Sequence, residues 1–407
     1  MLVALLSMPA AMVAPRPLAN GPIQRPACSK RAASNQIVAQ VPVLPAIATA
    51  ATAATAAAFA IGRKKWNAKL DPLQNLIFIS MGSAEQPVYQ YEANDAEYKE
   101  ALTASRMNMD KGMGGLPTTE VAATEDVELP SSSGLSIPTR LYYPPSGNDD
   151  SATDGEPLPL IFYCHGGGFV QGSIESHDAF CRRLCAETGF AIASVGYRLA
   201  PEARWPAQVD DAFDALSVLA GPAAAQRTSR PLDKSRVVVA GDSAGGTIAA
   251  ELAMRARDSG LPLKLQLLLC PALDAACDTA SFDENSAGPM LTANGMRWFW
   301  RQYLPTEAGS AGAAAENKAG EMASPLRFDA SKLSGVAPAH IVTAELDVLR
   351  EEGEAYAEKL RSAGVQAEAV RYDGVVHAFL VYAGTPFAKG DAALADVVAV
   401  LKERVLA

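Results

Sequence analysis

The sequence has little from which a metal centre or a disulfide framework could be built. Only four of its 407 residues are histidine, and its six cysteines show neither paired spacing nor the spacing of a zinc site. Cys181 and Cys185 lie four apart on a predicted helix, where we expect two small buried apolar side chains. An Asn-x-Ser/Thr glycosylation site is also lacking. Nothing in this composition therefore predicts a disulfide-rich secreted protein or a histidine-rich metal site.

Acidic residues are missing from residues 1–66, which carry seven of the 35 Lys and Arg residues. All 45 Asp and Glu residues lie in the remainder of the chain, so that part is strongly acidic. A negative surface repels the phosphates of nucleic acid, and we exclude polynucleotides as partners. Hydrophobic residues make up 49% and charged residues 20% of the chain, which predicts a sizeable folded core.

The first 66 residues are predicted to be a targeting leader. Residues 2–14 form a short apolar run, and residues 15–40 have the acid-free composition of a transit peptide. Residues 41–61 are uncharged, long enough to cross a bilayer, and followed by three basic residues. This order resembles the presequences of proteins imported into complex plastids, and residues 12–15 (MVAP) resemble their cleavage region. We expect a plastid location. Residues 41–61 have two possible interpretations, a membrane-associated segment or a low-complexity Ala/Thr linker. The linker is kept as an alternative because Ala and Thr insert only weakly into lipid.

After residue 120, strand-like and helix-like segments alternate, which predicts an α/β fold with a mostly parallel sheet. The inner strand candidates are continuous apolar runs, as a sheet covered on both faces requires. The predicted strands are 136–143, 159–164, 190–196, 236–240, 265–270, 339–344 and 367–372. Helical spacing of apolar residues predicts helices at 206–220 and from Arg350 to Gly364, a glycine expected just past the helix end.

Two regions fall outside this alternation, at 67–120 and about 275–325. The second is rich in Ala and Gly and contains the aromatic residues of 298–303. Insertions in α/β enzymes usually lie over the carboxyl ends of the strands, so we interpret both regions as a helical cap on a catalytic domain spanning 121–407. For 305–322 alone, a surface loop is an equal alternative.

The strongest chemical motif is residues 241–246 (GDSAGG), directly between a predicted strand and a predicted helix. In this setting G-x-S-x-G forms a nucleophile elbow, in which a strained turn presents the hydroxyl of Ser243. An upstream strand ends at residues 165–169 (HGGGF), where the glycines allow backbone N–H groups to approach a substrate oxygen. We predict an oxyanion hole in this loop (Gly166, Gly167, Gly168) together with Ala244, with Gly167 and Gly168 favoured as donors. Phe169 is predicted to contact an apolar substrate group.

A serine nucleophile needs a base, and His377 is the one histidine just past a late strand; His165, His177 and His340 lie in less suitable positions. In enzymes whose nucleophile stands on such an elbow, the triad residues follow one another along the chain as Ser, acid, His. The acid is therefore expected between residues 243 and 377. Asp347 ends a strand and begins a helix, so it is preferred over Glu345 and Asp373. The predicted triad supplies its own nucleophile and base, so no cofactor or metal is implied.

Together these motifs resemble the hormone-sensitive-lipase-like carboxylesterases over residues 120–405. The resemblance rests on HGGG (165–168), YRLAPE (197–202), WPA (205–207), GDSAGG (241–246), SPL (324–326), TAELDVLR (343–350) and GVVHAF (374–379). It implies the α/β-hydrolase fold and a structural role for 197–202, with Arg198 and Glu202 as a buttressing pair. Val376 stands where many members carry another residue, and the leader is foreign to the family.

The expected activity is hydrolysis of small or medium apolar esters through an acyl-enzyme on Ser243. Two alternatives keep the same triad, a lipase or deacylase and an acyltransferase. A third, a non-catalytic small-molecule receptor, is disfavoured because Ser243, Asp347 and His377 are all present, whereas the plant gibberellin receptors that resemble this family lack the histidine. The oligomeric state is not predicted.

Overall fold

The computed structural model of the protein describes residues 96–145, 156–305, 320–383 and 388–407. The predicted leader, including 41–61, lies outside these residues, as do the first part of the 67–120 region and most of the segment 305–322. Within the described ranges, no helix combines the length and the apolar composition that a membrane crossing requires.

Eight strands form one sheet in the order β1-β2-β4-β3-β5-β6-β7-β8. β2 runs antiparallel to both β1 and β4, and all other neighbours are parallel. This confirms the predicted α/β architecture with a mostly parallel sheet. The strands are β1 (Ala123–Pro130), β2 (Ser136–Tyr143), β3 (Leu158–Cys164), β4 (Ala191–Val195), β5 (Leu232–Asp242), β6 (Leu265–Leu269), β7 (Ala339–Leu346) and β8 (Ala367–Val376).

The seven predicted strands are all present, but β1 was not predicted. β1 is an edge strand paired only with β2, and of its side chains only Leu129 is fully buried. Such a strand lacks the apolar run by which a buried strand is recognised in a sequence. β5 and β8 are longer than predicted, and the extension of β8 to Val376 places His377 directly after the strand.

Helices cover both faces of the sheet. Successive side chains of β5 point to opposite faces of the sheet and are apolar on both. Val237 and Val239 belong to the core on one face, and Val238 and Ala240 belong to the core on the other. The described helices are α1 (Ala96–Met113), α2 (Asp178–Thr188), α3 (Ala207–Leu219), α4 (Ala244–Ser259), α5 (Ala280–Glu284), α6 (Ala293–Tyr303), α7 (Ala330–Leu333), α8 (Arg350–Ser362) and α9 (Ala388–Leu406), with 3-10 turns at Pro222–Gln226 and Pro325–Arg327. α3, α4 and α8 pack on one face, and α2 and α9 on the other.

Both helices predicted from apolar spacing are present. α3 matches the predicted segment 206–220 to within one residue at each end. α8 begins at Arg350, as expected, and Gly364 follows its end with φ +77°, a left-handed conformation that glycine adopts without a Cβ clash.

A third apolar cluster lies above the carboxyl ends of the strands. It joins Leu102 of α1, Phe282 of α5 and Trp300 of α6 to Phe169 and Ala244, which follow β3 and β5. The hydroxyl of Tyr98 on α1 also donates to Gln302 of α6 over 3.1 Å. The described parts of the regions 67–120 and 275–325 therefore pack above the carboxyl ends of the strands, where the predicted catalytic residues lie.

Candidate active site

Ser243 stands on a sharp turn between β5 and α4. Its backbone has φ 54° and ψ −120°, a conformation that non-glycine residues rarely adopt. The turn presses against the end of β3, because a Cβ on Gly241 would lie 2.7 Å from the carbonyl oxygen of Cys164 and one on Gly245 would overlap that same oxygen. The two glycines are needed for this close approach, which presents the Ser243 hydroxyl at the carboxyl end of the sheet.

A continuous chain of hydrogen bonds links Ser243, His377 and Asp347. His377 Nε2 lies 2.9 Å from the Ser243 hydroxyl oxygen, and His377 Nδ1 lies 2.8 Å from Asp347 Oδ2. All three side chains are buried, with exposed fractions of 6% for Ser243, 7% for His377 and 1% for Asp347. The structure thus brings together three residues from the ends of three different strands, β5, β7 and β8.

Asp347, rather than either alternative, is the carboxylate that contacts His377. Its second oxygen accepts the N–H of Leu349 over 3.0 Å, which orients the carboxylate. Glu345 instead accepts the N–H of Gly374 over 2.8 Å, joining β7 to β8. The pairing of these strands shifts register between Ala344 and Leu346, so Glu345 lies at an irregularity that turns its side chain away from His377.

The charge around His377 favours its protonated form. Burial alone would lower the pKa of the imidazole, but the carboxylates of Asp347 and Asp242 outweigh burial and raise it above its ordinary value. His165 shows the opposite: burial, and then the neighbouring His177, lower its pKa to about 3, so it remains neutral. His340 is buried near the amino end of β7, at the opposite end of that strand from Asp347.

Three of the four predicted oxyanion donors remain suitable, and one does not. Gly167 and Gly168 adopt positive φ values of 116° and 62°, and no acceptor among the described residues takes their N–H groups. Ala244 is the first residue of α4, where N–H groups have no partner within the helix. The N–H of Gly166, by contrast, donates to Asp242 over 2.8 Å. The prediction of Gly166 as an oxyanion donor was wrong, because its N–H group is already hydrogen-bonded to the Asp242 carboxylate.

Asp242, which was not singled out in the sequence, holds the glycine loop beside the nucleophile. Besides Gly166, it accepts the hydroxyl of Tyr163 over 2.6 Å, and His177 Nε2 lies 3.3 Å from the same oxygen. Burial alone would raise the pKa of Asp242, but His177, Tyr163 and His165 together lower it below its ordinary value. The only available sequence signal was its position next to the nucleophile, since its partners lie in other segments.

The predicted substrate contact of Phe169 is not supported. Its ring is fully buried and stacks on Tyr303 of α6, with centroids 3.7 Å apart and planes inclined by 12°. Trp300 lies on another side, at a centroid distance of 5.1 Å. Phe169 therefore anchors the glycine loop to α6. The sequence indicated an aromatic residue at the site but not that another ring covers it.

The predicted pairing of Arg198 with Glu202 is wrong, although both residues are structural. Arg198 forms two hydrogen bonds of 2.7 Å with Asp211 of α3. Glu202 accepts two from Arg106 of α1, at 2.9 and 2.8 Å, and Arg106 also donates to the carbonyl of Val170 just after the glycine loop. Asp211 lies 13 residues from Arg198 and Arg106 lies 96 residues from Glu202, and neither spacing marks the two residues as partners.

Cys270 lies beside the acid and base. The Cys270 sulfur, a carboxylate oxygen of Asp347 and a ring nitrogen of His377 lie close together. Among the described residues, they are the one group of three side chains whose atoms could together hold a metal ion. Burial, followed by the charge of Asp347, raises the pKa of the Cys270 thiol well above its usual value, so it stays protonated. Two members of this group are already hydrogen-bonded to each other, which is the arrangement of an acid–base pair.

Comparison with known proteins agrees with this geometry. A family model described as the alpha/beta hydrolase fold matches residues 161–381. An ethyl acetate hydrolase from Pseudomonas putida is 34% identical over 326 residues, covering 78% of this chain and 92% of the relative. The chain belongs to the hormone-sensitive-lipase-like carboxylesterase family. The resemblance inferred from the motifs is thereby confirmed.

Other members of this carboxylesterase family are similar over most of the chain. A carboxylesterase from Mycobacterium tuberculosis is 38% identical over 248 residues, 61% of this chain and 72% of the relative. The solved structure of a hyperthermophilic esterase from Pyrobaculum calidifontis shares 36% identity at a TM-score of 0.68, covering 83% of this chain and 100% of that one. The protein is therefore a serine ester hydrolase, and the alternative of a non-catalytic receptor is set aside.

Proposed function

We propose that the enzyme hydrolyses esters of small to medium apolar acids through an acyl-enzyme on Ser243. The observation that carries this proposal is the unbroken chain from the Ser243 hydroxyl through His377 to Asp347, with both hydrogen bonds between 2.8 and 2.9 Å. In this arrangement Ser243 is the nucleophile, His377 the base, and Asp347 the group that holds the imidazole in the required tautomer.

In the acylation step, His377 Nε2 accepts the Ser243 proton as the hydroxyl oxygen attacks the ester carbonyl. The carbonyl oxygen gains negative charge and is stabilised by the N–H groups of Gly167, Gly168 and Ala244. The amino end of α4 adds a positive dipole at the same place. The tetrahedral intermediate then breaks its bond to the alcohol oxygen, which receives the proton from His377 and leaves.

In the deacylation step, water replaces the alcohol. His377 removes a proton from the water, whose oxygen attacks the acyl carbonyl, and the same oxyanion donors stabilise the second intermediate. The bond to Ser243 breaks, His377 returns the proton to the serine oxygen, and the carboxylic acid is released. An alcohol in place of this water would make the enzyme an acyltransferase, so the two activities differ only in the acceptor.

A small to medium acyl group is supported by the enclosure of the site. Aromatic side chains of α6 and the glycine loop pack into one buried apolar cluster that includes Ala244, beside the nucleophile. One relative is named as an ethyl acetate hydrolase, an activity on a short ester. We therefore favour an esterase over a lipase or deacylase that acts on long acyl chains.

Labelling with a fluorophosphonate probe tests the nucleophile. We expect the wild-type enzyme to be labelled and Ser243→Ala to lose both labelling and esterase activity. Ser259→Ala is a matched control, because Ser259 lies at the other end of the same helix and its hydroxyl bonds only to Ala256 within that helix. Labelling that persists in Ser243→Ala would overturn the mechanism.

A series of p-nitrophenyl esters from acetyl to palmitoyl tests the substrate class. We expect kcat/KM to be highest for the acetyl to hexanoyl esters and to fall steeply beyond them. A maximum at the lauroyl or palmitoyl ester would instead indicate a lipase. Faster product formation on addition of a primary alcohol, with a new ester among the products, would indicate an acyltransferase.

We also propose that the leader directs the enzyme to a plastid. The proposal rests on the acid-free composition of residues 1–66 and on the resemblance of this segment to multipart presequences. A fluorescent fusion of residues 1–70 should accumulate in plastids, and comparison with a fusion that ends at residue 40 tests membrane retention through 41–61. A diffuse cytosolic signal from the longer fusion would contradict the proposal.

A further inference from the structure

The ring of Phe299 on α6 packs directly against the α-carbon of Gly168. A Cβ on Gly168 would lie 2.6 Å from Phe299 Cδ2 and would overlap the adjoining ring atoms. The ring therefore occupies the space that any side chain at position 168 would fill. Because Gly168 is one of the proposed oxyanion donors, Phe299 forms a wall against the loop that receives the carbonyl oxygen.

The position of Phe299 is determined by a helix held at both ends. At the start of α6, the hydroxyl of Thr292 accepts the N–H of Gly295 over 3.0 Å. At its end, the N–H of Trp205 donates to the carbonyl of Tyr303 over 2.8 Å. Phe299 is 4% exposed and packs edge-on against Trp298 at a centroid distance of 5.4 Å. The ring is thus part of a packed layer and is not a free surface side chain.

The sheet order shows which part of an ester faces this ring. In the sheet, β3 and β6 lie on opposite sides of β5, which carries the nucleophile. His377 comes from β8, beyond β6, and the glycine loop comes from β3. The leaving alcohol must face His377 because it takes its proton from Nε2. The carbonyl oxygen faces the N–H groups of the glycine loop, so the acyl group is the remaining substituent, and it extends into the apolar cluster above the strand ends that contains Phe299 and Ala244.

We propose that Phe299 is the specificity-determining residue that limits the length of the acyl chain. The proposal rests on the acyl-enzyme mechanism proposed above. An acyl chain that extends past Gly168 encounters the Phe299 ring, so only short chains fit without displacing α6. Removing the ring creates space for additional methylene groups, each of which increases kcat/KM by about fourfold when it becomes buried.

The test is the chain-length profile of Phe299→Ala. We expect the ratio of kcat/KM for the octanoyl and acetyl p-nitrophenyl esters to rise at least tenfold over wild type. Phe299→Leu keeps a large apolar side chain and should give an intermediate shift, which keeps the proposal testable if the alanine variant does not fold. Acetate esters of increasingly large alcohols should show no comparable change, because the alcohol faces His377.

Phe282→Ala is the matched control. Phe282 lies in the same cap, is equally buried, and belongs to α5. An identical shift in Phe282→Ala would show that loosening the cap is sufficient, and it would overturn the assignment to Phe299. Unchanged acyl preference in both Phe299 variants would also overturn it, as would a shift in the alcohol series alone. Fluorophosphonate labelling of Ser243 in wild type separates these outcomes from failure of the mechanism itself.

Discussion

The carboxylate of Asp242 accepts the N–H of Gly166 over 2.8 Å. This single hydrogen bond joins the turn that carries the nucleophile to the loop that carries two of the proposed oxyanion donors. Since Asp242 directly precedes Ser243, any displacement of the glycine loop changes the distance between the serine hydroxyl and the N–H groups of Gly167 and Gly168. Alignment of the nucleophile with the oxyanion hole therefore depends on a residue that itself touches no substrate.

We expect Asp242→Ala to reduce kcat by roughly 10²-fold to 10³-fold, comparable to the loss of one oxyanion donor. The substitution also leaves Gly166 N–H and the Tyr163 hydroxyl without their buried acceptor, which should lower the free energy of unfolding by about 2–5 kcal/mol. Steady-state kinetics with p-nitrophenyl acetate and urea unfolding measure the two effects. Asp258→Ala, an exposed change on α4, is the control; near-wild-type kcat in Asp242→Ala would contradict the role.

Asp347 and Glu345 should respond very differently to loss of their charge. Asp347→Asn should lower kcat by about 10⁴-fold, because an amide no longer holds His377 in the tautomer that accepts the serine proton. Glu345→Gln retains an oxygen that accepts the Gly374 N–H, so kcat should stay within about threefold of wild type, since only a charge-assisted hydrogen bond outside the triad is weakened. Comparable losses in the two variants would show that both carboxylates support the histidine.

The pH dependence of kcat/KM should follow His377. The imidazole accepts a proton only when neutral, and the nearby carboxylates raise its pKa, so activity should be lost as pH falls through that raised pKa. Asp242→Asn removes one of the charges that favour the imidazolium form. The pKa of His377 should then decrease and the acid limb should move to lower pH. A pH profile with p-nitrophenyl acetate measures this, and a shift toward higher pH would contradict the electrostatic account.

Two glycine-to-alanine changes should have opposite effects on stability. A Cβ on Gly245 would overlap the Cys164 carbonyl oxygen and lie 2.6 Å from that of His165, so Gly245→Ala should prevent correct folding of the elbow or cost more than about 3 kcal/mol. Gly112 lies near the end of α1 with no atom within 4 Å of the added Cβ. Gly112→Ala should stabilise the fold by about 0.5–1 kcal/mol. Thermal unfolding compares the two variants, and equal effects would refute the steric argument.

Features carried by contiguous residues could be predicted well. The apolar runs of β3, β5 and β6 identified the parallel sheet, because such strands are buried on both faces and show no polar alternation. Ser243 was identified by G-x-S-x-G between a strand and a helix. His377 and Asp347 were found by elimination, by their positions at strand ends and by resemblance, and the structure brings both to Ser243.

Features that depend on partners from other segments could not be predicted. β1 was missed because its alternation in burial includes only two apolar side chains, Val127 and Leu129, and half of the strand's residues are polar. Phe169 was expected at the substrate, but Tyr303, more than a hundred residues later, covers its ring. Arg198 and Glu202 were expected to pair with each other, yet Arg198 bonds to Asp211 on α3 and Glu202 bonds to Arg106 on α1.

The sequence by itself determined seven of the eight described strands, the candidate nucleophile and the glycine loop, because these depend on local backbone geometry and on burial of apolar runs. Only the tertiary structure decided which neighbouring groups pair. Glu345 and Asp347 are two residues apart, and an irregularity in β7 directs one to Gly374 and the other to His377. Gly166 likewise does not contribute to the oxyanion hole, because its N–H donates to Asp242, a buried carboxylate that requires hydrogen-bond donors.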